Sequence, residues 1–180
     1  MVELAVVRYI NHLGQGTILD NISLWISDIR FIIAIWLLVG VLAFILDKKH
    51  GKAVLLGLIL VTAIYFLVND VILKQGILKF LLPIRPRPFI AYPEIIPIGQ
   101  KFYDSSFPSG HMGNTAAILV IFVAYYRKAL LPAIGVLLIM TLSRLHNGMH
   151  YPSDLLGGAI LGVLYGLLGL WIVRKIAKRI

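Results

Sequence analysis

Residues 29–46 read IRFIIAIWLLVGVLAFIL, and the only charged side chain among them, Arg30, stands at the edge of the run. A helix rises 1.5 Å per residue, so this stretch is about 27 Å long, close to the roughly 30 Å of hydrocarbon in a bilayer. No period-two alternation favours a strand, and a single segment in lipid satisfies its own backbone only as a helix. Working outward from this run, four more apolar segments follow at roughly 53–72, 111–126, 129–145 and 155–173. With 59% hydrophobic and 14% charged residues in 180, the whole chain 1–180 reads as one domain. The expected fold class is all-α, an integral-membrane bundle of about five transmembrane helices. Cysteine is absent, which excludes disulfides and thiolate metal sites.

The first 28 residues differ from the rest. Leu4, Val7, Ile10 and Leu13 recur at helical spacing among Arg8, Asn11, His12, Asp20 and Asp28, which predicts an N-terminal amphipathic helix lying at the membrane interface over 1–28. A secretory signal peptide fits poorly, because the basic start and small-residue cleavage site are missing.

Five spans place the connecting segments on alternate sides. One side collects Lys48, Lys49, Lys52, Arg127, Lys128, Arg174, Lys175, Lys178 and Arg179 against Asp47, a balance of +8; the other collects eight basic and seven acidic residues, a balance of +1. Positive charge marks the cytoplasmic side, so the C-terminus is expected inside the cell. The net charge of +9 is therefore mostly a topology signal, and no nucleic-acid partner is expected. The loop 73–110, the segment FPSGH and the segment SRLHNGMHYPSD (143–154) all fall on the non-cytoplasmic face.

These segments carry the polar residues that an apolar chain has least reason to keep. Ser109 precedes the third span as a candidate N-cap, and Gly110 and His111 occupy its first turn, where unpaired N–H groups favour an anion. Arg144 offers a planar fork for phosphate oxygens, and His150 lies four residues before Asp154, a carboxylate able to orient an imidazole, cap the fifth helix, or do both. Lys79, Arg85 and Arg87 add cations from the proline-rich loop. Cations, a helix N-terminus and two histidines at one interface suit metal-free phosphoryl transfer. Two other polar residues read as structural: Asp70 pairs with Lys74, and His146 ends a helix or bonds within its loop. Gly158, Gly162 and Gly166 at four-residue spacing allow close helix packing, within the bundle in preference to between protomers.

Lys79 with Arg87-Pro88, then Pro108-Ser109-Gly110-His111, then Ser143-Arg144, His150 and Asp154 resemble the three-part signature of the type 2 phosphatidic-acid phosphatase superfamily, over roughly residues 55 to 170. The first part departs from the family's spacing: seven residues separate Lys79 from Arg87 and five separate it from Arg85, where the family usually has six. The resemblance implies that His150 attacks phosphorus with Asp154 orienting it, that His111 protonates the leaving group, and that Lys79, Arg87, Ser109, Gly110 and Arg144 hold phosphate oxygens, with Arg85 sharing the role of Arg87. It implies no metal and no cofactor. The partners expected are the bilayer and a phosphorylated lipid, with undecaprenyl pyrophosphate, phosphatidylglycerophosphate, phosphatidic acid and the phosphates of lipid A all fitting. The expected location is the cell (inner) membrane with the site facing outward. Lipid-to-lipid phosphotransfer and a non-enzymatic packing role with a relict site are the alternatives.

Overall fold

The computed structural model describes residues 2–81 and 83–177, less the side chains of Asp70, Leu73, Lys74, Gln75, Leu78, Lys79 and Ala177. The expected Asp70–Lys74 pair and the side chain of Lys79 thus lie outside the described residues. In chain order the helices are α1 (Val2–His12), α2 (Ile18–Ser27), α3 (Ile29–Leu46), α4 (Gly51–Ile64), which continues as a π-helical stretch (Tyr65–Leu78) into α5 (Lys79–Leu81), then α6 (Pro88–Ala91), α7 (Gly110–Tyr125), α8 (Leu130–His146) and α9 (Pro152–Ala177). The chain is all-helical and of membrane type, as the apolar runs require.

Four helical segments, Ile29–Leu46, Gly51–Asn69, Arg127–His146 and Pro152–Ile176, are long and apolar enough to cross a bilayer. The fifth, α7, has 16 residues and spans about 24 Å at 1.5 Å per residue, short of the hydrocarbon thickness. Its position explains how it tolerates this. Met112, Gly113, Thr115, Ala116, Ala117, Ile118, Leu119 and Ile121 are all buried, so α7 packs against protein on most of its circumference. The glycine stripe of α9 makes that packing close. A Cβ placed on Gly162 would lie 2.1 Å from the carbonyl oxygen of Gly113, and one on Gly158 would lie 2.5 Å from that of Ser109. The stripe therefore serves the bundle interior and sets the start of α7 against the start of α9.

Two expectations about segment boundaries are corrected. Helical winding runs past residue 72 to Leu81, so the loop expected at 73–110 begins later and contains α6. The N-terminal region is two helices, not one. Gly14 and Gly16, at φ 65° and 74°, reverse the chain between them, and the Thr17 side chain accepts from the Leu19 N–H to start α2. Both helices also pack against the bundle. Val7 packs with Ile95, Met112 and Leu145 in the core, while Asn11, fully buried, donates to the carbonyls of Ile96 (2.8 Å) and His146 (2.6 Å) and accepts from the Ile96 N–H (2.9 Å). From α2, the Ser23 hydroxyl donates to Asn147 Oδ1 at 2.6 Å. Val2, Tyr9, Ile18, Ile22 and Trp25 are exposed beside Arg8, His12 and Asn21, a mixture that suits amphipathic helices.

At the opposite end of the bundle the α3–α4 and α7–α8 connections meet. The Tyr126 hydroxyl donates to Asp47 Oδ2 at 2.9 Å, and the rings of His50 and Tyr125 are 5.8 Å apart. Two segments of the positively charged set thus share one end, and the candidate site occupies the other.

Candidate active site

The site forms where the starts of α7 and α9, the end of α8 and the proline-rich segment before α6 converge. Ser109 sits at the N-cap position of α7 with extended dihedrals, and its backbone N–H donates to the carbonyl of Asp154 at 3.1 Å. The expected side-chain cap is not made. Ser109 Oγ is buried without a hydrogen-bond partner among the described residues, beside the N–H groups of the first helical turn. A buried hydroxyl next to a positive helix end is arranged to meet an anion.

His150 is buried at 2% exposure. Its Nδ1 lies 2.9 Å from the carbonyl oxygen of Ser106. A carbonyl can only accept, so Nδ1 carries the proton and Nε2 carries the lone pair. Nε2 is 3.3 Å from Arg87 Nη1, which also donates to the carbonyl of Met149 at 3.1 Å. Of the two roles open to Asp154, orienting the ring and capping the helix, the direct hydrogen bond is made only as a cap. Asp154 Oδ2 stands 3.7 Å from Nδ1, beyond a hydrogen bond, and accepts the Tyr151 N–H at 2.8 Å, reaching back across the first turn of α9 as a cap. Its charge still faces the imidazole, but Ser106 sets the tautomer.

The two loop arginines part company. Arg87, 4% exposed, places Nη2 2.7 Å from Asp104 Oδ1 and Nη1 over His150. Arg85, expected at the phosphate, turns instead to carboxylates: Nη1 donates to Asp154 Oδ1 (2.6 Å) and Ser153 Oγ (2.8 Å), Nη2 donates to Glu3 Oε2 (2.9 Å), and the guanidinium lies 4.2 Å from the centre of the Tyr151 ring. Arg87 lies at φ −68°, ψ 154°, the polyproline II region, where three residues complete a turn.

Arg144 is 3% exposed, near the end of α8. Its Nε has no hydrogen-bond partner, and among the described residues its guanidinium meets no carboxylate. Arg144 and His111 both line a cavity of about 820 Å³, with Asn147 and Met149 beside them and Trp25, Asp28, Arg30 and Phe31 forming the wall toward α2 and α3. His111 Nε2 donates to the Ser27 carbonyl at 3.0 Å. Ser27 is held in turn, its hydroxyl 2.6 Å from Ser143 Oγ and accepting from Asn147 Nδ2 at 2.7 Å. His150 and Arg87 lie behind Met149 and outside the cavity lining.

His146 does end α8, but its partners come from the N-terminal helices: Nε2 lies 3.0 Å from the Leu13 carbonyl and 3.5 Å from Asp20 Oδ1. Sequence reasoning also missed Glu3, Ser27 and Ser106. Glu3 is one acid on an amphipathic helix, Ser27 and Ser106 act through backbone carbonyls, and no spacing rule singles out any of them. Among the described residues no group of three or more His, Asp or Glu side chains is placed to hold a metal ion.

An imidazole with its acceptor nitrogen beside a guanidinium, a second buried guanidinium without a carboxylate, and a second imidazole on the same rim can grip a phosphoryl group and attack it. Comparison with known proteins gives the family. Over 165 residues the chain is 28% identical to undecaprenyl-diphosphatase BcrC of Bacillus subtilis, covering 86% of this chain and 75% of that protein. Over 100 residues it is 35% identical to a lipid A 4'-phosphatase of Bacteroides thetaiotaomicron, covering 54% of this chain and 44% of that protein, so this match spans less than half of that relative's length. The crystal structure of a transmembrane PAP2 type phosphatidylglycerolphosphate phosphatase from Bacillus subtilis superimposes with a TM-score of 0.69 at 25% identity, covering 99% of this chain and 86% of that one. The family model of the PAP2 superfamily matches residues 52–178, a span that contains both histidines and every arginine of the site, and the chain is a multi-pass membrane member of that superfamily.

Proposed function

We propose that the chain is a membrane lipid phosphatase that releases phosphate through a phospho-histidine. The observation that carries this reading is Arg144, a buried guanidinium with no carboxylate among the described residues, in the wall of a cavity that also holds His111. A buried charge left uncompensated is costly, and an anionic ligand relieves it. In this reading His150 Nε2 attacks the terminal phosphorus, the N–P bond forms as the bond from that phosphorus to the leaving oxygen breaks (the bridging oxygen of a diphosphate, the ester oxygen of a monophosphate), and His111 gives the departing oxygen its proton. Water then attacks the phospho-histidine, His111 takes a proton from it, and inorganic phosphate leaves. Arg144, Arg87, Ser109 Oγ and the N–H of Gly110 hold the phosphoryl oxygens, and Lys79 is assigned with them by the family resemblance. Asp154 keeps an electrostatic role toward the imidazolium.

Of the two sequence relatives, the undecaprenyl-diphosphatase matches along 86% of the chain and the lipid A phosphatase along 54%, so a lipid diphosphate is favoured over lipid A as substrate. The test is phosphate release by purified protein from undecaprenyl diphosphate, lipid A, phosphatidylglycerophosphate and phosphatidic acid, each with and without EDTA. Release from at least one lipid, unaffected by EDTA and fastest on the diphosphate, is expected. Labelled phosphate appearing on a second lipid instead of in solution would make the protein a phosphotransferase, and no release from any of the four would sink the phosphatase reading.

The site is assigned to the non-cytoplasmic face from the +8 against +1 charge balance. A reporter fused after Arg179 is expected to report a cytoplasmic position, and activity of a periplasmic reporter there would invert the topology.

A further inference from the structure

The carboxylate of Glu3 lies outside the family match at residues 52–178, yet it reaches the start of α9. Oε1 accepts the Ser153 N–H at 2.8 Å, and Oε2 accepts from Arg85 Nη2 at 2.9 Å. Burial works against its charge, but the hydrogen bonds from Ser153 and Arg85 outweigh it and hold the carboxyl below its ordinary range. Arg85 passes this anchoring on in two ways. Its side chain holds Asp154 Oδ1 at 2.6 Å, and its backbone carbonyl accepts the Ser106 N–H at 2.9 Å. Ser106 is the residue whose own carbonyl accepts the Nδ1 proton of His150. Both groups facing Nδ1, the Ser106 carbonyl and the Asp154 carboxylate, are therefore tied to Arg85, and Arg85 is tied to Glu3.

We propose that Glu3 is a positioning residue for His150, fixing through Arg85 the Ser106 carbonyl that sets the ring's tautomer and the Asp154 carboxylate that faces it. The inference rests on the phospho-histidine reading. It also gives the extra loop arginine a task, since Arg85 closes the link between α1 and α9 while Arg87 faces the ring.

Glu3→Gln tests it. The amide oxygen can still accept from Ser153, whereas the amide N–H₂ meets the Arg85 donors, so the arginine contact is removed selectively. Because Glu3 is only half-buried, the packing of Val7 and Asn11 stays in place. A small misplacement of a reacting group lowers turnover without weakening binding, so kcat on the hydrolysed lipid is expected to fall about 10- to 100-fold with KM within about twofold. Glu3→Gln combined with Arg85→Met is expected to match Arg85→Met alone. The control is Arg8→Gln, which breaks the Arg8–Glu94 ion pair of the same helix and should leave kcat unchanged. Unaltered kcat in Glu3→Gln, losses that multiply in the double variant, or an equal loss in Arg8→Gln would each overturn the proposal. Ring ¹⁵N shifts of His150, assigned by comparison with His150→Gln, provide a readout independent of turnover. A single Nδ1–H tautomer in the parent that becomes a mixture in Glu3→Gln supports the proposal even if no lipid in the panel is hydrolysed, a result that would defeat the phosphatase reading alone. An unchanged spectrum overturns it.

Discussion

His150→Ala is expected to lower kcat by about 10⁴-fold or more, the scale seen when a covalent nucleophile is removed. Little else in the site should change. Arg87 keeps its contacts to Asp104 and the Met149 carbonyl, Arg144 stays in the cavity wall, and Ser109 Oγ remains beside the start of α7. In the proposed mechanism those groups bind the ground-state phosphate, so KM should move far less than kcat. The proposed covalent step predicts a trace: brief incubation with labelled lipid diphosphate and an acid-free quench should label the parent protein and not the variant. Turnover within about tenfold of the parent would remove His150 from the nucleophile's place, because no positioning role accounts for the loss predicted here.

Arg144→Met is expected to lower kcat/KM by about 10²- to 10³-fold, the usual cost of losing one donor to a developing oxyanion. It is also expected to raise the thermal midpoint. Arg144 is buried near the end of α8, its Nε without a partner and its guanidinium without a carboxylate among the described residues. Replacing such a charge with an apolar side chain of similar length removes a desolvation penalty, and buried ionic groups exchanged for well-packed hydrophobes have given about 1–4 kcal/mol of added stability. Activity and stability should therefore move in opposite directions, as expected where a site is held ready for a charged ligand. Arg144→Lys keeps a charge and loses the planar fork, so it should lose activity without the stability gain. Melting of the three proteins in detergent, followed without substrate, checks this. A lowered midpoint in Arg144→Met would mean that the guanidinium stabilises the empty protein.

The motif residues were legible because each is bound to a local feature: Ser109, Gly110 and His111 to the start of an apolar helix, Arg144 to the end of one, and His150 and Asp154 to the start of the next. Their partners were not. Nothing in the spacing of His150 and Asp154 says that a carbonyl 44 residues earlier in the chain lies nearer to the ring than the carboxylate does. Arg85 and Arg87 look equivalent in sequence, yet one meets Glu3 and Asp154 and the other meets Asp104 and His150. The N-terminal region reads as an interfacial helix because its apolar periodicity is real, but the pattern cannot report that Asn11, Ser23 and Glu3 find partners on α8, α9 and the loop before them.

The sequence by itself determined the membrane class, the helical runs, their charge asymmetry and the family, since these depend on local apolar length, composition and short motifs, and a bilayer accepts few backbone solutions. Tertiary structure decided which hydrogen-bond acceptor each charged side chain meets, how α1 and α2 close over the rim, and that α7 could be shorter than a full span. Those outcomes rest on distances between residues remote in the chain. They are fixed by the close approach of α7 and α9, in which glycines let one helix rest against the other's backbone.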